Sequence, residues 1–267
     1  MSLPPALTEA VDEVARAGRL LVGLDFDGTL APFDRDPAQA RALPGAVDAV
    51  RSLAGAGTRV AEGTAVALVS GRSLEALTEV AGLSGLPLDR LVLVGSHGLE
   101  TRWPDGSVEP VKLSEAERGA LAEAVARLDR LAEAGPAGAW VGRKPLSATL
   151  HTRAVPDAAQ AEELEDRARR AAEGLPGVEV LPGKRVVELT VRRGDKGRAL
   201  AVLRKRFRAD AVFYAGDDAT DERAFAALRP GHGDLGIHVG DGETAAQFRV
   251  PGIADVPGVL ARLAGAR

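Results

Sequence analysis

The chain has 267 residues, 45% of them hydrophobic and 27% charged, a formal net charge of -4 and no cysteine. That length is ample for one large or two modest domains with a buried core. The dispersed basic residues argue against a nucleic-acid partner, and the lack of cysteine excludes a disulfide framework or a thiolate metal site. The N-terminal stretch has neither the charged start nor the long apolar block of a signal peptide, and no apolar run reaches spanning length. The expectation is therefore a soluble, cytoplasmic, monomeric protein with no membrane partner.

In chain order, five short apolar runs stand out: "RLLVGLDF", "AVALVSGR", "LVLVGSHG", "AVFYAGDD" and "LGIHVGDG". Each is rich in Val, Leu or Ile at both parities, the pattern of parallel strands covered on both faces, and helical patterns alternate with them. Each also finishes in Gly, Ser, His or Asp. Open parallel sheets bind ligands at the carboxyl ends of their strands, so these tails stand where a site is expected.

Between "GSHG" and "GDKG" the style changes. Ser114 and Glu117 have capping-box spacing, and Leu121, Val125, Leu128 and Ala132 fall on one face of the helix that follows. "GAWVGRK" and "LSATLHTRAV" come next, the second alternating like a half-exposed strand. Asp157 and Gln160 are suited to cap another helix, with Leu164, Ala168 and Ala171 on its apolar face. "GVEVLPGKRVVELTV" reads as a hairpin turning at Pro182-Gly183. The segment 102–187 is thus expected to be an inserted α+β domain with an antiparallel sheet, set into a core of residues 1–101 and 188–267. Its short connections suggest a hinged lid.

Four clusters carry the chemistry: Asp25-Phe26-Asp27-Gly28-Thr29, Ser70-Gly71-Arg72, Lys196 in "RRGDKGRAL", and "GDDATDE" from Gly216 to Glu222. Taken singly, each has a plain structural explanation as a turn, a helix cap, a surface lysine or an acidic first turn. Their order, each after an apolar strand or at a helix start, points to one crevice.

With these motifs the whole chain resembles the haloacid dehalogenase-like (HAD) phosphohydrolases. The resemblance implies an α/β Rossmann-like core with a parallel sheet and an inserted α+β cap of the C2 type. It implies Mg²⁺ as cofactor, Asp25 as nucleophile and metal ligand, and Asp217 as a second metal carboxylate. Asp27 would give its backbone carbonyl to the metal and its side chain to proton transfer. Asp218 and Asp221 would hold water or orient the ligands, and Thr29 would hydrogen-bond the acid–base aspartate. Ser70, Lys196 and loop N–H groups near Phe26 would neutralise the phosphoryl group. Gly28 would let the backbone turn and approach the phosphate.

"DFDGTLAP", "GSHGLE", "RKPLSATLHTR", "GKRVVEL", "GDKGRAL" and "GDDATDE" narrow the resemblance to the trehalose-6-phosphate phosphatases. A hydroxyl-rich disaccharide needs carboxylates, amides and cations around it. The substrate candidates are Arg72, His97, Glu100, Lys144, His151, Arg153 and Glu188. Trp140 has either a core role or a sugar-stacking one, the core role being commoner for a tryptophan in a small domain. The chain departs from the family pattern at Gly142, Thr152, Thr190 and Val191. The implied activity is hydrolysis of trehalose 6-phosphate. The alternatives are a phosphatase for another sugar phosphate (sucrose phosphate or mannosylglycerate phosphate), a phosphosugar mutase, and a non-catalytic sensor.

Overall fold

The structure, a computed structural model, describes residues 3–34, 36–55, 63–109, 111–183 and 185–267. The chain divides into two compact units, residues 1–110 with 194–267 and residues 111–193. The boundaries differ from those expected at 102 and 187. Residues 100–102 and 108–109 extend the larger unit's sheet, whereas Glu188 to Thr190 complete a strand of the smaller one.

The larger unit begins with α1 (Pro5–Ala15), β1 (Leu20–Leu24), α2 (Pro44–Leu53), β2 (Thr64–Val69) and α3 (Leu74–Leu83). β3 (Leu91–Gly95), β4 (Glu100–Arg102) and β5 (Val108–Glu109) follow. The smaller unit holds α4 (Glu115–Glu133), β6 (Trp140–Lys144), β7 (Ser147–His151), α5 (Ala158–Ala172), β8 (Glu179–Gly183) and β9 (Val186–Thr190). The chain then returns through α6 (Lys196–Phe207), β10 (Ala211–Gly216), α7 (Asp221–Ala227), β11 (Leu235–Val239), β12 (Phe248–Val250) and α8 (Val256–Ala266).

An eight-stranded sheet in the order β12-β11-β10-β1-β2-β3-β4-β5 forms the larger unit. It is parallel from β12 to β3 and antiparallel at β4 and β5. The apolar runs alternate sides as a pleated strand requires. Leu20, Val22 and Leu24 of β1 join a core with Val11 of α1, Val50 of α2, Leu77 of α3 and Leu260 of α8. Leu21 faces the other way, into a core with Leu200 and Leu203 of α6 and Phe225 of α7. Continuous hydrophobicity in sequence thus becomes two buried faces, as in other covered parallel sheets. Among the described residues no helix is long and apolar enough to cross a membrane.

The smaller unit is a four-stranded antiparallel sheet, β6-β7-β9-β8. Ala148, Leu150, Val187 and Leu189 bury one face against Ala124 and Leu128 of α4 and Leu164 and Ala168 of α5. The capping box at Ser114 forms as expected, with the Ser114 hydroxyl accepting from the Glu117 N–H at 3.2 Å and Glu117 accepting from the Ser114 N–H at 2.8 Å. Ala124 rather than Leu121 lies in the buried stripe of α4, and Ala172 rather than Ala171 in that of α5. Asp157 caps α5 through the N–H groups of Ala159 and Gln160. The hairpin turns later than expected. Gly183 still pairs with Val186, so the reversal comes after Gly183, and Arg185 takes a left-handed φ of 61°. Lys184 lies outside the described residues.

Gly23 is the tightest point of β1. A Cβ there would lie 2.8 Å from Leu200 Cδ2 and 2.8 Å from Tyr214 Cδ2. Gly23→Ala should therefore destabilise the protein by about 1–3 kcal/mol, the usual cost of overpacking. Urea denaturation reads this as a lower midpoint with an unchanged slope.

Candidate active site

Strand pairing brings the acids together. Leu24 of β1 is in register with Ala215 of β10, and the Asp25 N–H donates to the Ala215 carbonyl at 2.9 Å. The residues just beyond both strands, Asp25 and Asp217, therefore emerge side by side. The chain then turns back, with the N–H groups of Leu30 and Ala31 both donating to the Phe26 carbonyl at 2.9 and 2.8 Å. Gly28 adopts φ +78°, and a Cβ on it would sit 2.0 Å from Asp217 Oδ2. Only glycine fits both the left-handed backbone and the approach of that carboxylate.

Lys196, the first residue of α6, is 1% exposed and reaches into this cluster. Its Nζ lies 3.0 Å from Asp25 Oδ1, 2.8 Å from Asp221 Oδ1 and 4.0 Å from Asp218 Oδ1. Asp221 is fully buried and fully engaged. Its Oδ1 accepts from Lys196 and from the Tyr214 hydroxyl at 2.5 Å, and its Oδ2 accepts from the N–H groups of Asp217 and Asp218 at 3.1 and 3.0 Å. Asp218 Oδ1 accepts from the N–H and hydroxyl of Thr220, at 2.7 and 2.6 Å. Asp221 thus holds the loop that presents Asp217.

The electrostatics follow from burial. Burial pushes Asp25 well above the usual carboxylate range, against the pull of Lys196. Burial, with the charges of Asp221 and Asp218, pushes Asp217 up to about 6. For Asp218 burial acts upward, but Lys196 and the Thr220 donors outweigh it and the carboxyl lies below its ordinary value. Burial opposes the charge on Lys196, yet Asp25, Asp221 and Asp218 prevail and raise it above the ordinary ammonium range.

Several expected contacts are placed differently. The Thr29 hydroxyl donates to Asp217 Oδ1 at 3.3 Å rather than to Asp27, because Gly28 turns the chain toward the β10 loop. Asp27 is held by Arg72, whose Nε and Nη2 donate to its two oxygens at 2.6 Å each. Ser70 is buried and accepts from the Arg72 N–H at 3.2 Å. Glu100 accepts from the Ser96 hydroxyl at 2.6 Å and the Leu74 N–H at 3.3 Å. It thereby anchors the left-handed Ser96-His97 turn (φ 50° and 55°) to the start of α3. Gly71 makes room for the His97 ring: a Cβ there would lie 2.4 Å from His97 Cε1.

In the smaller unit, Lys144 Nζ lies 3.3 Å from Glu188 Oε1, and the same oxygen accepts from the Ser147 hydroxyl at 2.5 Å. Trp140 is 54% exposed, not core, and its ring stacks on His151 with centroids 3.9 Å apart and planes 7° from parallel. Gly142 admits this stack, since a Cβ there would lie 3.0 Å from His151 Nε2. Burial, then the charges of Lys144 and Arg153, lower the His151 pKa and keep the imidazole neutral at pH 7. Arg153 is exposed.

Sequence reasoning missed Tyr214. Its signal was available, for it is the single tyrosine of the chain and lies on β10, three residues before Asp217. A hydroxyl at the end of an otherwise apolar strand needs a buried partner.

A trehalose-phosphatase family profile matches residues 23–252. An uncharacterized glycosyl hydrolase of Mycobacterium tuberculosis is 36% identical over 91% of this chain, which spans only 18% of that relative's length. The trehalose-6-phosphate phosphatase of Escherichia coli is 31% identical over 87% of this chain and 82% of its own. Among solved structures, a trehalose-6-phosphate phosphatase of Aspergillus fumigatus superposes with a TM-score of 0.64 at 27% identity, covering 100% of this chain and 99% of the other.

The acidic cluster fits a metal ion. Carboxylate oxygens of Asp25, Asp217 and Asp221 all lie within 4.8 Å of one another. With four donors already on Asp221, the available ligands are Asp25, Asp217 and the Asp27 carbonyl, on which none of the backbone hydrogen bonds among the described residues ends. These are hard oxygen donors, suited to a hard dication. The metal-free protein should therefore gain stability as pH falls from 7 through about 6, because folded Asp217 takes up a proton before the unfolded chain does. Asp217→Asn should flatten that part of the profile, and a divalent cation at pH 7 should raise the thermal midpoint of the parent protein only. Thermal melts at fixed ionic strength read both.

Proposed function

The chain belongs to the trehalose-phosphatase family, and from that premise we propose that it is a Mg²⁺-dependent phosphatase hydrolysing trehalose 6-phosphate to trehalose and phosphate. The observation that carries this reading is the buried Asp25 carboxylate, 3.0 Å from Lys196 and beside Asp217. A carboxylate kept in place by one cation, with a second acid alongside, is equipped to attack phosphorus where charge can be neutralised.

Asp25 attacks the phosphorus in line and forms an aspartyl-phosphate, while Asp27 protonates the departing sugar oxygen. Asp27 then takes a proton from water, and the water's oxygen attacks the phosphorus and frees Asp25. Lys196 holds Asp25 oriented through both steps, and the Ser70 hydroxyl supplies a donor to the phosphoryl group. Asp25, Asp217 and the Asp27 carbonyl would hold Mg²⁺, whose role is to neutralise charge on the phosphoryl oxygens. Asp221 and Tyr214 keep the loop and the lysine in register.

Sugar selection belongs, in this proposal, to the smaller unit. Lys144 and Glu188 offer a paired cation and anion to hydroxyl groups, neutral His151 can donate or accept, and Arg153 is exposed for a further contact. His97, at the carboxyl end of β3, completes the candidate set. Arg72 and Glu100 are engaged by Asp27 and by the Ser96 turn, which supports roles in organising the larger unit.

Purified protein should release phosphate from trehalose 6-phosphate only when Mg²⁺ is present, and faster than from glucose 6-phosphate or sucrose phosphate. Equal turnover of simple hexose phosphates would count against the disaccharide. Asp25→Asn should lower the rate by on the order of 10³-fold or more. Lys144→Ala should raise KM by about 10- to 100-fold, the worth of a charged hydrogen bond, with a smaller change in kcat.

A further inference from the structure

Proton transfer to a leaving oxygen works only within hydrogen-bond reach, so whatever fixes the Asp27 carboxylate governs that step. Asp27 follows β1 in an irregular turn, and its side chain is 23% exposed. Left alone, such a side chain would sample several rotamers. Arg72 removes that freedom. Its guanidinium forms a two-point fork on the carboxylate, with both contacts at 2.6 Å, and is itself only 12% exposed. A planar fork sets the plane and direction of a carboxylate, which a lysine's point charge does not.

Arg72 is in turn held from three sides. Its N–H donates to the Ser70 hydroxyl at 3.2 Å, its carbonyl accepts from the Ser96 N–H at 2.6 Å, and its guanidinium carbon lies 5.8 Å from the centre of the Phe26 ring. The loops after β1, β2 and β3 therefore meet on this one residue. A guanidinium so placed is fixed scaffold. One N–H of Nε and one of Nη2 are committed to Asp27, and its low exposure leaves little of the group open to an incoming phosphate.

We propose that Arg72 is a positioning residue for the acid–base step: it acts through Asp27, orienting that carboxylate for the leaving oxygen, and does not grip the substrate. This rests on the phosphatase reading above. Its consequence is a dependence on leaving group. A sugar alkoxide needs a proton as it departs, whereas p-nitrophenolate leaves without one. Loss of the fork should therefore slow the first and spare the second.

The test compares the parent protein, Arg72→Lys, Arg72→Gln, Asp27→Asn and the double variant Arg72→Lys/Asp27→Asn, all with Mg²⁺. On trehalose 6-phosphate, Arg72→Lys should lose about 10²-fold in kcat, within the range that general acid catalysis supplies, with little change in KM. In rapid-mixing experiments with p-nitrophenyl phosphate, the nitrophenol burst should keep a rate within a few-fold of the parent. The double variant should be no slower than Asp27→Asn alone, because the arginine acts only through the aspartate. Arg72→Gln guards against a variant that fails to fold, and its near-ultraviolet circular dichroism should match the parent. Parallel loss on both substrates, a raised KM on both, or additive losses in the double variant would overturn the proposal. If instead the parent protein released neither nitrophenol nor phosphate, the phosphatase reading itself would fall.

Discussion

The ammonium of Lys196, buried between Asp25 and Asp221, is the interaction on which the site depends. A buried carboxylate is costly unless paired and hydrogen-bonded, and three acids approach each other here. One lysine cannot neutralise them all. Burial leaves Asp25 well above its ordinary pKa and Asp217 at about 6, so the cluster retains an unmet demand for positive charge. That demand is the physical basis of a cation site. Lys196 is also badly placed for its helix, since a positive charge at an N-terminus opposes the helix dipole. Asp195 caps α6 through the Arg198 N–H, and the carboxylates beyond offset the remaining cost. The position makes sense through the site, not through the helix.

Asp221 divides structural from chemical labour. Four donors converge on it, and a carboxylate with both oxygens doubly satisfied is a poor ligand for anything else. It fixes Lys196 on one side and the Asp217-Asp218 turn on the other. Gly216 permits this, since a Cβ there would fall 2.2 Å from Asp221 Cγ. Tyr214 extends the network into the sheet, so packing around Gly23 is continuous with the geometry of the acids.

Much of this was legible in sequence. Apolar runs of both parities announced covered parallel strands, and their polar tails marked the carboxyl edge where Asp25, Ser70, His97 and Asp217 stand. The capping box at Ser114 was readable because it is local: its partner is three residues away. The illegible parts are long-range. Arg72 and Asp27 are 45 residues apart, and Thr29 and Asp217 are 188 apart, so no spacing rule links them. Motif logic reads Arg72 and Glu100 as substrate residues, because charged side chains near a site are usually ligands, and it has no means of showing their partners within the protein. In the fold each satisfies a neighbouring loop first. The hairpin of β8 and β9 was misplaced for a different reason. Pro-Gly is a strong turn signal, but the register of the smaller sheet requires Gly183 to pair with Val186 and moves the reversal onward.

The departures from the family pattern in the smaller unit also have a physical order. Gly142 has no side chain, and the room it leaves is taken by the His151 imidazole lying flat on Trp140. Thr152 is fully buried, its hydroxyl donating to Glu165 at 2.6 Å, so it ties the end of β7 to α5. The Thr190 hydroxyl donates to the carbonyls of Leu146 and Arg192 and closes the end of β9. Thr190 is the cross-strand partner of Ser147, and beside it the contacts of Lys144 and Ser147 with Glu188 run across β6, β7 and β9. With no side chain at position 142, the sheet carries an aromatic stack with a neutral imidazole, a hydrogen-bonding edge beside a flat apolar surface.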